Sequence, residues 1–178
     1  MTAREIEEYR ALRDTIRERS TLRLWIVLVG LTAWAALTIA TGTLADLPVS
    51  TLLPLLILAA TFEIVFSLHT GVERVGRYIQ VFFESEPADR VWEHQAMAYV
   101  RQFPGSGPDP VFAAFFWAAT VLNVVPAAID RPSPVEWLVV GTVHLFVIGR
   151  VALARRQAGQ QRSLDLERFQ RLKQALPA

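Results

Sequence analysis

Apolar positions along this chain gather in four runs, and charged positions fill the stretches between them. The first run, LWIVLVGLTAWAALTIATGTLA, lies between Arg23 and Asp46 and holds no charge. At about 1.5 Å per residue such a helix reaches about 33 Å, enough to cross the hydrocarbon core of a bilayer. In the second run, from Asp46 to Glu73, the only charged side chain between the two ends is Glu63. The third, PVFAAFFWAATVLNVVPAAI, stands uncharged between Asp109 and Asp130. The fourth is shorter, since only the stretch from Trp137 to Gly149 separates Glu136 from Arg150. Extended over 135–154 it becomes long enough to span. Glu136 then sits beside Trp137 at one headgroup region and Arg150 snorkels to the other. The pattern predicts an all-α, polytopic membrane protein with transmembrane helices at 24–45, 48–70, 110–129 and 135–154, in two hairpins.

The intervening stretches read as cytoplasmic helices. Over residues 2–20, opposite charges recur at helical spacing (Arg4 with Glu8, Glu7 with Arg10, Arg10 with Asp14, Asp14 with Arg17). A narrow apolar stripe of Ile6, Tyr9, Leu12 and Ile16 is placed either for a solvated helix leading into the first span or for one that docks on a neighbour. Pro54 is expected to bend the second helix, and nothing breaks that helix after His69, so it is expected to run on to about 84. Ser85 and Pro87 suggest a restart, with a helix over 86–103. Asp109 and Pro110 suit the cap and first residue of the third span. After Gly159, Ser163 is placed to cap a last helix over 163–176, with Leu164, Phe169, Leu172 and Leu176 near one face. Both outer turns read Asp-x-Pro (Asp46 to Pro48 and Asp130 to Pro132), an echo that duplication or ordinary turn chemistry would each explain.

Charge adds an orientation. Six arginines precede the first span, four lie in the central segment, and seven basic residues lie at or after the end of the last span. The opposite side holds only Arg131, so 17 basic residues stand against 1. This places both termini in the cytoplasm of a cell (inner) membrane protein. The mixed-charge leader and the length of the first apolar run are unlike a cleaved signal peptide. A net charge of +1 argues against nucleic acid as a partner, and the absence of cysteine excludes disulfides and thiol chemistry. The preference for arginine, with Lys173 the single lysine, points to a bacterial chain from a G+C-rich genome.

Glu63 is the most informative position. Burying an acid at mid-membrane costs about 2.5–3.5 kcal/mol. The leucines, isoleucines and phenylalanines of its helix offset that at about 0.3–0.6 kcal/mol each. Stepping along the same face come Ser67, Thr70, Arg74 and Arg77, a polar seam that suits a water-filled groove, a subunit interface or plain helix packing. His144 is the expected partner of Glu63, because it follows Pro132 at nearly the interval at which Glu63 follows Pro48. Asn123, Thr120 and Thr38 could extend a network. His69, Glu73 and His94 are candidate metal ligands, and His69 with His144 a candidate haem pair, although no HExxH, ExxH or CxxCH motif accompanies them. No cofactor is expected. The expected function is that of a non-enzymatic integral membrane protein, with the lipid bilayer as one partner. It would assemble through its cytoplasmic helices as a homo-oligomer or as a subunit of a membrane complex. The alternative is a small ion channel or proton-coupled transporter built on a Glu63–His144 pair.

Overall fold

In the computed structural model the described residues are 1–44, 47–84, 92–103 and 109–175. They form α1 (Ala3–Leu44), a 3-10 turn (Pro48–Thr51), α2 (Leu52–Phe82), α3 (Trp92–Gln102), α4 (Asp109–Leu122), α5 (Val125–Ile129) and α6 (Pro134–Ala175), with no strand among them. Four stretches, Ala3–Thr43, Pro48–Phe82, Val111–Ile129 and Pro134–Ala175, are long and apolar enough to cross a membrane. Expectations placed on Asp46, on the restart at Ser85 and Pro87 with the helix start over 86–91, and on Leu176 lie outside the described residues.

Three boundaries differ from expectation, each for a local reason. Pro54 does not bend a helix interior. The 3-10 turn delays the start of α2 to Leu52, so Pro54 falls in the first helical turn, where an N–H has no intrahelical acceptor to lose. The third apolar run does break, at Asn123 and Val124. Pro126 cannot donate to the Leu122 carbonyl four residues back, and α4 stops there. The Asn123 and Val124 N–H groups close the end of α4 on Ala119 and Val121 at 2.9 and 3.1 Å. By contrast, α6 runs unbroken for 42 residues through Gly159 and Ser163. One interior glycine costs only about 1 kcal/mol, too little to end so long a helix. Ser163 is therefore no cap: its hydroxyl donates back to the Gln160 carbonyl at 2.9 Å.

The chain divides into two units. One, here called the apolar unit, comprises Leu24–Phe66 and Asp109–Arg155. Its core is Leu55, Leu58, Ala113, Phe116, Ala119, Val147 and Val151, with Leu31, Trp34, Phe62 and Trp117 packed around it. Phe62 meets Phe116 edge to face at 5.2 Å between centroids. Close approach of α1 to α2 requires Gly30, since a Cβ there would lie 2.8 Å from the Thr61 Cβ. In contrast to the rest of the unit, α1 is barely covered: only 6% of its most apolar window is buried.

The second, polar unit comprises Met1–Arg23, Ser67–Pro108 and Arg156–Ala178. An aromatic cluster holds its helices: Tyr9 lies 5.8 Å from Phe83 and Phe169 lies 5.6 Å from Tyr78, with Phe82 beside them. The amino-terminal part of α1 thus docks on α2, with Tyr9 of the apolar stripe at the contact.

Candidate functional site

Hydrogen-bond arithmetic fixes a fully buried amide of the apolar unit. Asn123 is fully buried at the break between α4 and α5. Trp34 Nε1, a group that can only donate, lies 3.0 Å from Asn123 Oδ1, which settles the orientation of the amide. The opposing Nδ2 then donates to the Thr51 carbonyl at 2.8 Å and faces His144 Nε2 at 3.0 Å. His144 Nε2 must therefore accept, and its Nδ1–H donates to the Val140 carbonyl at 2.7 Å. The result is a neutral, Nδ1-protonated imidazole with both nitrogens occupied. It has no lone pair left for haem or metal. Thr38 sits 3.4 Å from the same Oδ1 but is closer to its own Trp34 carbonyl, at 2.8 Å. Thr120 likewise turns back to the Phe116 carbonyl at 2.7 Å. The network joins α1, the 3-10 turn, α4 and α6 around the place where Pro126 interrupts the backbone.

The expected Glu63–His144 pair does not form. Glu63 is held by Arg150 instead, with Nε to Oε1 and Nη2 to Oε2 both at 2.8 Å. Depth explains the choice. Arg150 stands about as far beyond Pro134, where α6 begins, as Glu63 stands beyond Pro48, whereas His144 is higher and turned toward Asn123. A bidentate guanidinium also matches a carboxylate better than one imidazole nitrogen. The Arg150 guanidinium carbon lies 5.3 and 6.0 Å from the ring centroids of Phe66 and Phe62, which adds cation–π attraction. Depth counted along the sequence finds this pair once Arg150 is taken as a partner as well as an interfacial anchor.

In the polar unit, the rest of the expected seam is divided among different partners. Thr70 Oγ1 donates to the Ser67 carbonyl at 3.1 Å. Arg74 Nε reaches the buried Asp165 of α6 at 3.3 Å. Arg77, itself buried, donates to Gln80 at 2.6 Å and to Glu93 of α3 at 3.3 Å. Around it lies a four-charge cluster that sequence reasoning missed. Arg13 bridges Glu84 at 2.8 Å and Glu93 at 2.7 Å, and Glu84 Oε2 accepts the backbone N–H of Glu93 at 3.0 Å. Two buried carboxylates thus face two guanidiniums, and Glu84 caps the first turn of α3 from outside that helix. Gly76 makes room for the cluster, because a Cβ there would lie 2.9 Å from Glu93 Oε2. A cavity of about 210 Å³ adjoins it, walled by Ile16, Val72, Trp92 and Met97 and rimmed by Glu73 and Arg162, which pair at 2.7 Å. At the end of α2, Lys173 donates to the Val81 carbonyl at 2.7 Å, a cation placed on a helix C-terminus.

The metal candidates do not converge. His69 Nδ1 accepts from Arg23 at 3.1 Å, Glu73 is engaged by Arg162, and His94 Nδ1 faces Gln80 at 3.5 Å. Among the described residues no three His, Asp or Glu side chains are grouped to hold an ion. Chemically, what the arrangement does is fasten helices. Comparison with known proteins adds nothing to this geometry: no family model, curated protein or solved structure matches the chain.

Proposed function

We propose that this chain is a multi-pass protein of a bacterial cell membrane, with both termini in the cytoplasm. In this reading its role is non-enzymatic: it assembles, as a homo-oligomer or as a subunit of a larger membrane complex. One observation carries the reading. The buried charged side chains of the polar unit (Arg77, Glu84, Glu93 and Asp165), with Arg13, are tied to one another or to neighbouring helices across α1, α2, α3 and α6. They build a rigid helical platform from residues that an enzyme would present to a substrate. Two further features support it. The four apolar helices supply the spans, and the basic residues distribute 17 to 1 across the expected loops. A conducting path through Glu63 and His144 draws no support from a geometry that gives each its own partner.

The test uses the full chain in its own membrane. Alkaline carbonate should leave it in the pellet, and the extracted complex should weigh at least two of its 20.0 kDa subunits or include a second protein. Release into the wash would overturn the membrane reading. A lone 20.0 kDa species in bilayer nanodiscs would overturn assembly.

A further inference from the structure

The Glu63–Arg150 pair lies at an open surface of the apolar unit: the acid side chain is 46% exposed and the arginine 28%. Its surroundings are apolar. Leu56 and Ile64 of α2 and Phe146 and Leu153 of α6 are all exposed nearby in sequence, at 65%, 49%, 70% and 50%. In lipid such a pair is poorly placed, because each carboxylate oxygen has accepting capacity left and hydrocarbon offers no donor. A protein surface that covers this face fits best when it brings charges of the right sign at the right depth.

We propose that the face is covered by a second copy of this chain, related by a two-fold axis along the bilayer normal. This deepens the assembly reading, on which it rests, by naming the partner. The argument is charge complementarity. A two-fold along the normal keeps every residue of the second copy at the depth of its twin. It also reverses the lateral order of α2 and α6, so the acid-bearing helix of one copy faces the arginine-bearing helix of the other. Glu63 of each copy then meets Arg150 of its twin. Two parallel ion pairs close into a ring of four alternating charges, and the exposed leucine, isoleucine and phenylalanine side chains pack around it. Any unrelated partner would have to match both sign and depth by separate design.

Because inter-copy and intra-copy pairing respond differently to charge reversal, the two can be separated. Glu63→Arg leaves two bases on the face, and Arg150→Glu leaves two acids. Each variant alone should be monomeric by single-molecule photobleaching in nanodiscs, with the dimer fraction down at least tenfold. Co-expressed with different tags, the two variants complement each other, and mixed dimers should return to the native fraction and co-purify. A Glu63→Gln, Arg150→Gln double variant carries no like charges on one face, inserts at a lower cost than either charge reversal and should also be monomeric. Native-level dimers in that double variant, or no rescue by co-expression of the two singly substituted variants when each inserts normally, would overturn the proposal. A native complex larger than one subunit that ignores all these changes defeats this interface while leaving assembly standing. A native monomer defeats both.

Discussion

Replacing Asn123 by leucine tests whether the buried network locks the apolar unit. The two side chains are similar in size, so the change removes hydrogen bonds with little change in volume. Three bonds go: from Trp34 Nε1, to the Thr51 carbonyl and to His144 Nε2. In membranes a side-chain hydrogen bond averages about 0.6 kcal/mol and reaches about 1.7 kcal/mol. Three of them give about 2–5 kcal/mol. The upper half of that range is expected because His144 is buried and its Nε2 would lose its donor, a cost greater than the bond itself. The Leu122 carbonyl, already freed by Pro126, makes the break between α4 and α5 the place least able to absorb the loss. Reversible unfolding in mixed micelles, followed by tryptophan fluorescence, measures the difference. A double-mutant cycle with Trp34→Phe should return a coupling of about 0.5–1.5 kcal/mol. A loss below about 0.5 kcal/mol for Asn123→Leu, or a coupling near zero, would refute the argument.

Other perturbations follow from the same geometry. Glu93→Gln breaks a buried ion pair on Arg77 and Arg13 and should cost about 3–5 kcal/mol, read as the loss of protease resistance of α3. Gly30→Leu should destabilise by about 1–3 kcal/mol through overlap with Thr61. Gly159→Ala, with open space around it among the described residues, should stabilise α6 by about 1 kcal/mol; thermal unfolding compares the two. Arg131 adopts φ 52°, so Arg131→Gly should relieve part of a strain of about 1–2 kcal/mol and raise the melting temperature slightly.

The order of apolar and charged residues carries the four apolar stretches, because spanning length and charge exclusion are properties of contiguous sequence. The extension of α2 beyond His69 is legible for the same reason: nothing there breaks a helix. What escapes reading depends on distance along the chain. Arg13 finds Glu84 and Glu93 more than seventy positions away, and on α1 alone it looks like one more solvated charge. Asn123 and His144 both stand out as polar groups in apolar runs, yet Trp34 reads as packing, because an indole N–H shows its value only once an acceptor is placed opposite. Pro126, three residues after Asn123, does mark the break in the third span. Gly159 and Ser163 mark a break that the helix does not make. Local signals of about 1 kcal/mol decide a boundary only where the backbone has no stronger reason to continue.

The ammonium on the Val81 carbonyl has a practical corollary. Since Lys173 is the single lysine, acylating reagents find one side-chain amine in the whole chain, and in the folded state it is engaged. Its labelling rate therefore reads out, without any engineered probe, how often the tail of α6 lets go of α2. Acetylation of this amine would abolish its charge and weaken that fastening, leaving one neutral N–H to reach the carbonyl.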